Sequence, residues 1–350
     1  MNKTRVLVID DSALVRDILS RGLNMTTGIE VVGTASDPYI ARDMIVKLRP
    51  DVLTLDVEMP KMDGLEFLKK LMPQYPLPVV MVSSLTESGS RITLDALASG
   101  AVDFVCKPSS DVKSGLLSMI NELHDKIKIA ATVDVKGYKN KKYKPSENGS
   151  RNVTALSRTT DKIIAIGAST GGTEALRNVI TGLPITAPGI VVVQHMPERF
   201  SKMFADRLNE LAAMHVKEAV SGDRIKNGHV LIAKGGQHMQ VIRSGGDYQV
   251  ICRDGAKACG HKPSVDVLFR SVAKYVGANA IGIMLTGMGS DGADAMLKMR
   301  EAGARTMAQD KNSSVVFGMP KEAYERGGAE KLVPLDNIPY QIKVMLEEMN

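Results

Sequence analysis

Lys162-Ile163-Ile164-Ala165-Ile166 runs directly into Gly167-Ala168-Ser169-Thr170-Gly171-Gly172, and Glu174-Ala175-Leu176-Arg177-Asn178-Val179-Ile180 follows. A short apolar run, a glycine-rich turn and a helical stretch predict a buried strand, a tight turn and a helix of a parallel α/β sheet. Ser169 then falls at a helix N-terminus, where N–H groups and the positive end of the helix dipole favour negative charge on a reacting oxygen. A dinucleotide-binding turn would instead show Gly-x-Gly-x-x-Gly and an acidic residue about twenty positions on, and neither is present. Gly167-Ala168-Ser169-Thr170-Gly171 also fits the Gly-x-Ser-x-Gly pattern that carries nucleophilic serines, a pattern short enough to recur by chance.

A nucleophilic serine needs a base and a group that orients the base. Working outward, Gly189-Ile190-Val191-Val192-Val193 reads as the next strand, with Gln194-His195-Met196-Pro197 just past it. A third strand, Ala280-Ile281-Gly282-Ile283-Met284-Leu285, leads into Thr286-Gly287-Met288-Gly289-Ser290-Asp291-Gly292. Ser169, His195 and Asp291 therefore all fall at C-terminal ends of strands, the edge where an open α/β sheet places its site. Their order along the chain differs from the Ser, acid, His order of α/β-hydrolases, so the spacing points to another hydrolase fold with convergent geometry. His261, in Gly260-His261-Lys262-Pro263-Ser264-Val265-Asp266, is a rival base or a substrate-positioning residue. Asp291 has a second reading as the cap of a helix over 293–302. His124, His215, His229 and His238 are expected in surface or turn roles.

The first third of the chain carries a different chemistry. Val6-Leu7-Val8-Ile9 stops at Asp10-Asp11, Val52-Leu53-Thr54-Leu55 stops at Asp56, and Val102-Asp103-Phe104-Val105-Cys106 stops at Lys107-Pro108. These too read as strands of a buried parallel sheet whose C-terminal ends converge on one crevice. Carboxylates held close together repel and favour a hard divalent cation with oxygen ligands, for which Mg2+ fits. One carboxylate can then attack a phosphoryl group, and a nearby lysine neutralises its oxygens. Asp11 alone reads equally well as a helix cap, since Asp11-Ser12 precedes the helical pattern from Ala13 to Leu19.

Residues 1–125 closely resemble the receiver domain of bacterial response regulators. The resemblance rests on Val8-Ile9-Asp10-Asp11-Ser12, Leu55-Asp56-Val57-Glu58-Met59-Pro60-Lys61-Met62-Asp63-Gly64, Val82-Ser83-Ser84 and Lys107-Pro108. It implies a flavodoxin-like domain with a parallel five-stranded sheet. Asp56 would accept phosphate from a histidine kinase, and Asp10, Asp11, Asp56 and the backbone carbonyl of Glu58 would hold the Mg2+. Ser83 would sense the phosphoryl oxygens through its hydroxyl, and Lys107 would contact the phosphate.

At ~150 residues per domain, the 350-residue chain holds about two domains. The first apolar run is four residues long and ends in acids, so no secretory leader is expected. No apolar stretch approaches the roughly 20 residues that span a bilayer, and the chain reads as cytoplasmic. Three cysteines, Cys106, Cys252 and Cys259, are too few for a disulfide framework, and Cys259 with His261 lacks the second ligand pair of a metal site. The net charge of +6 sits largely in residues 130–160, which hold seven basic residues against Asp134 and Glu147. With its Asn, Ser, Gly and Lys content, 126–160 reads as a flexible basic linker between 1–125 and a catalytic domain over 161–350. No helix-turn-helix or stacking platform follows it, which argues against nucleic acid as a partner.

The whole chain resembles the chemotaxis protein-glutamate methylesterases. Distinctive matches are Ile166-Gly167-Ala168-Ser169-Thr170-Gly171-Gly172-Thr173-Glu174-Ala175-Leu176, Gln194-His195-Met196-Pro197, His261-Lys262-Pro263-Ser264-Val265-Asp266 and Leu285-Thr286-Gly287-Met288-Gly289-Ser290-Asp291-Gly292. The resemblance implies a doubly wound α/β serine hydrolase behind the receiver. Its expected activity is hydrolysis of glutamate γ-methyl esters on chemoreceptors, with release of methanol and with deamidation of receptor glutamines as a second activity. Ser169, His195 and Asp291 carry over as nucleophile, base and orienter, and Thr170 and Met288 as oxyanion contributors. No metal is expected in the catalytic half, and the protein is expected to act as a monomer. The receiver would restrain the catalytic edge until phosphorylated. The alternatives are a receiver-regulated esterase or amidase with another substrate, and a receiver with a purely binding output.

Overall fold

The computed structural model describes residues 3–84, 86–108, 112–136 and 161–349. The chain divides into two compact units, Met1–Glu147 and Asn148–Asn350. Most of the expected linker, residues 137–160, lies outside the described residues.

In the first unit, strands β1 (Thr4–Ile9), β2 (Ile29–Ala35), β3 (Val52–Asp56), β4 (Val79–Ser83) and β5 (Asp103–Cys106) alternate with α1 (Ala13–Asn24), α2 (Pro38–Leu48), α3 (Gly64–Gln74), α4 (Glu87–Ala98) and α5 (Val112–Ala130). The strands pair in parallel in the order β2-β1-β3-β4-β5. Every residue of β3 and β4 is buried, which accounts for their largely apolar character. The order reverses between β1 and β3, so Asp10 and Asp56 meet at the topological switch point. The cap of α1 is Ser12, whose hydroxyl accepts from the Val15 N–H, so Asp11 does not perform that role. Helix α5 continues to Ala130, past the boundary expected at residue 125, because Leu123, Ile127 and Ala130 keep its apolar stripe buried.

The second unit is built on β6 (Ile163–Ala168), α6 (Gly172–Thr181), β7 (Gly189–Gln194), α7 (Glu198–Leu211), β8 (His215–Glu218) and β9 (His229–Ile232). A hairpin of β10 (His238–Ser244) and β11 (Asp247–Arg253) follows, then α8 (Val265–Tyr275), β12 (Ala280–Met284), α9 (Ala293–Glu301), β13 (Arg305–Gln309), α10 (Met319–Glu325), β14 (Leu332–Val333) and α11 (Ile338–Glu348). Seven parallel strands lie in the order β14-β13-β12-β6-β7-β9-β8. After β6 the chain winds outward through β7, then returns to the other side of β6 at β12. The switch point therefore lies at the end of β6, between β7 and β12, where the three loops bearing Ser169, His195 and Asp291 begin.

All six residues of β6 and all six of β7 are buried. Helix α8 packs its stripe of Val265, Leu268, Phe269 and Val272 into the core with Ile163, Ala165 and Met284. At ~1.5–3 kcal/mol for each large apolar side chain removed from water, that stripe is a main anchor of the helix. Its N-terminus comes close because two glycines make room. A Cβ on Gly167 would lie 2.3 Å from Val265 Cγ1, and one on Gly292 would lie 2.4 Å from the same atom. No described helix is long and apolar enough to cross a membrane.

Candidate active site

The tight turn after β6 puts the Ser169 side chain half-buried at the sheet edge, with Gly171 in the left-handed region at φ 76°. A Cβ on Gly171 would sit 2.6 Å from Val315 Cβ, so the turn demands glycine for space as well as for conformation. The Ser169 N–H donates to Thr286 O at 3.0 Å, and the Ser169 carbonyl accepts from Gly172 N–H at 2.7 Å. Thr286, buried just after β12, donates through Oγ1 to Thr170 O at 3.0 Å and receives Val316 N–H at 2.9 Å. The turn is thus pinned from the β12 side.

His195 brings one ring nitrogen to each partner. Nδ1 lies 3.2 Å from Ser169 Oγ and Nε2 lies 2.8 Å from Asp291 Oδ2, with 8% of the imidazole side chain and 1% of the carboxylate exposed. For Nδ1 to accept the serine proton, the ring hydrogen must sit on Nε2, and Asp291 is placed to hold that tautomer. Asp291 also accepts from Ser264 Oγ at 2.7 Å, Val265 N–H at 2.7 Å and Asp266 N–H at 3.0 Å. Burial, the largest influence, works to raise its pKa. The bonds from His195, Ser264 and the Asp266 N–H outweigh it and hold the carboxyl below the usual aspartate value.

These bonds stand in place of the alternative reading of Asp291 as the cap of the following helix. Helix α9 begins after Gly292, with no side-chain cap, whereas the Asp291 carboxylate receives the first N–H groups of α8. An anion at that helix end also gains from the helix dipole. The packing of Val265 against Gly167 and Gly292 is what brings these donors to the acid. Ser264 and the two N–H donors were not expected from the sequence, although Ser264 before the apolar period of 265–272 is a readable helix start.

His261 does not bond Ser169; it stacks on His195, with ring centroids 3.8 Å apart and an 11° interplanar angle. It shields a face of that imidazole. Thr170 is buried, and Met288 is 47% exposed at the loop over the site. His238 departs from the surface role expected of it: it is buried in β10 and its Nε2 meets Ala256 O at 2.8 Å.

In the receiver unit, Asp10, Asp11 and Asp56 place ligand oxygens within 4.8 Å of one another. Lys107 Nζ lies 2.8 Å from Asp10 Oδ2 and 2.8 Å from Asp56 Oδ2. Only the second has hydrogen-bond geometry, so Asp10 Oδ2 is a buried oxygen with a charge neighbour and no hydrogen bond. Burial, then the charge of Asp10, push Asp56 up to about 6 against the pull of Lys107. Burial opposes the charge on Lys107 in turn, but the paired carboxylates of Asp10 and Asp56 hold its pKa above the ordinary lysine value. A crowded, incompletely satisfied carboxylate set of this kind suits a divalent cation. Glu58 is exposed; its N–H meets Asp56 Oδ1 at 3.4 Å and its carboxylate accepts from Thr86. Ser83 is buried and engaged locally, accepting from Thr93 Oγ1 at 2.8 Å and lying 3.1 Å from Ser84 O.

A serine, an imidazole and a buried carboxylate in hydrogen-bonded sequence on a doubly wound sheet define a serine hydrolase, here joined to a receiver unit. Comparison with known proteins gives the family. Residues 164–342 match the family described as CheB methylesterase, and residues 6–121 match the response regulator receiver domain. The chain belongs to the CheB methylesterase family. It is 63% identical to a protein-glutamate methylesterase/protein-glutamine glutaminase of Syntrophotalea carbinolica, across 99% of this chain and 98% of the relative. A protein of the same description from Escherichia coli O157:H7 is 50% identical over 98% of this chain and 97% of its own length. The crystal structure of the Thermotoga maritima CheB methylesterase catalytic domain superposes with a TM-score of 0.52 at 37% identity, covering 53% of this chain and all of that one.

Proposed function

We propose that the catalytic unit hydrolyses γ-methyl esters of glutamate on chemoreceptors and deamidates receptor glutamines, under control of phosphorylation at Asp56. The observation that carries this reading is His195 within hydrogen-bond reach of both Ser169 and Asp291. Ser169 Oγ attacks the ester carbonyl while His195 Nδ1 takes its proton, and Asp291 stabilises the imidazolium that forms. Backbone N–H groups of Thr170 and Met288 are the proposed donors to the tetrahedral oxyanion. Collapse of that intermediate breaks the bond to the methoxy oxygen, which receives the proton from His195 and leaves as methanol. Water, deprotonated by His195, then attacks the acyl-serine and releases the glutamate carboxylate. With glutamine, ammonia leaves in place of methanol. Release of methanol from methylated receptors, followed in wild type and in the variants below, tests the reading.

In the receiver, Asp10, Asp11, Asp56 and the Glu58 carbonyl would hold Mg2+, which supplies positive charge beside the phosphoryl oxygens. Asp56 accepts the phosphoryl group from a histidine kinase, Lys107 pairs with its oxygens, and Ser83 leaves its bond with Thr93 to meet them. The protein is assigned to the cytoplasm, where receptor signalling domains and kinase meet it.

Asp291→Asn should lower kcat by about 10³- to 10⁴-fold with KM little changed, because the amide no longer enforces the Nε2–H tautomer. A loss of thermal stability alone, with normal turnover, would restrict Asp291 to a structural part. The same variant carries a pH signature. The carboxyl is depressed from its reference value of 3.8, so its contribution to stability is present above that value and is lost as pH falls through the lower folded value. The gap in Tm between wild type and Asp291→Asn should therefore be wide at neutral pH and shrink progressively as pH falls below 3.8.

His195→Gln should remove turnover, whereas His261→Gln should keep a measurable part of it, since only the first ring reaches Ser169. Steady-state kinetics of the two variants decide the matter, and the reverse ranking would make His261 the base.

A further inference from the structure

The geometry points to Gln194 as a positioning residue that holds the nucleophile turn and the base loop together. Gln194 ends β7 directly before His195 and is 4% exposed. Its Nε2 donates to Ser169 O at 2.9 Å and to His195 O at 3.2 Å. One amide group thus ties the carbonyl of the proposed nucleophile to the carbonyl of the proposed base. The orientation follows from chemistry, because an amide oxygen turned toward two carbonyl oxygens would repel both.

The other end of the amide shows what this arrangement costs. Gln194 Oε1 is buried and meets no protein donor. It occupies the place that a side chain on residue 172 would need: a Cβ built on Gly172 would lie 2.1 Å from it. A buried acceptor without a donor is unfavourable, so an apolar side chain of similar length would serve packing alone better. The two N–H donors are what set glutamine apart at this position.

The consequence lies in the Ser169–His195 contact. At 3.2 Å, Oγ to Nδ1 is already at the long end of useful hydrogen-bond reach. The β12 side of the serine turn is fixed independently through Thr286. On the β7 side, the main-chain link is His195 N–H to Ala168 O at 3.1 Å, and the Gln194 amide adds the cross-tie one residue further on. Loss of that tie lets the base loop drift from the turn, and displacements of about 1 Å at a reacting pair cost on the order of 10²-fold in rate.

The inference rests on the reading of Ser169 as nucleophile, so its test reads the serine directly. In the full chain, Gln194→Met and Gln194→Glu are compared with wild type in the rate of Ser169 labelling by a fluorophosphonate and in kcat and KM for methanol release from methylated receptors. Far-UV circular dichroism scales each rate to folded protein. Gln194→Met should label about 10- to 100-fold more slowly, with kcat reduced to match and KM nearly unchanged. Gln194→Glu should be slower still, since a carboxylate oxygen would face two carbonyl oxygens. Wild-type labelling by the folded methionine variant, a loss confined to KM, or a glutamate variant as fast as wild type would each overturn the assignment, the last by reducing residue 194 to a filler of space. Failure of wild-type Ser169 itself to label would remove the nucleophile reading, and this inference with it.

Discussion

Replacing Ser169 with alanine should reduce methanol release by about 10⁶-fold while leaving the fold intact. The turn that carries Ser169 is fixed by main-chain bonds, from Ser169 N–H to Thr286 O and from Gly172 N–H to Ser169 O, which do not involve the hydroxyl. Removing Oγ therefore takes away the attacking atom and little else. What remains is the stabilisation that oxyanion donors and substrate binding still provide. Because triad members act as a unit, Ser169→Ala combined with His195→Gln should be scarcely worse than either alone. Losses that multiply would mean that the two side chains act on separate steps.

Much of this site was legible in the sequence because its three principal residues lie in turns and loops that open at the ends of apolar runs. Parallel strands buried on both faces cannot hide that pattern, and the strand ends mark the functional edge. The same logic exposed Asp10, Asp56 and Lys107 in the receiver. The hairpin of β10 and β11 was not anticipated, nor were the short outer strands β8 and β14. Edge strands bury less, and the alternation of apolar and polar residues in β11 gives only a weak period. The environment of Asp291 was invisible for another reason. It depends on Val265 fitting between Gly167 and Gly292, residues distant in the chain, and no local pattern records such a meeting. His261 drew notice through its motif, yet only the fold distinguishes a ring stacked on the base from a ring that replaces it.

Phosphorylation of Asp56 should raise methylesterase activity by about 5- to 150-fold, the range that a coupling of ~1–3 kcal/mol supports. Asp56 is 2% exposed, shares its pocket with Asp10 and already contacts Lys107. A phosphoryl group there adds charge that Lys107 can partner, and it competes for Ser83, whose hydroxyl is now bonded to Thr93. A conformational equilibrium responds only to such differential interactions. If the receiver withholds activity in its unphosphorylated form, residues 161–350 alone should exceed the unphosphorylated full chain. Equal basal rates would discard restraint by the receiver and leave the hydrolase assignment standing. Asp56→Asn should remain at the basal rate whether or not a small phosphodonor and Mg2+ are supplied.

The proposed function couples an aspartyl-phosphate switch to a serine-dependent methylesterase in one chain. It is tested most directly by methanol release from methylated receptors, measured with and without a small phosphodonor and Mg2+, for wild type, Asp56→Asn and Ser169→Ala in parallel. Wild type should be strongly activated, Asp56→Asn should hold an unchanging low rate, and Ser169→Ala should release nothing above background under either condition. Release by folded Ser169→Ala at the wild-type rate would contradict it.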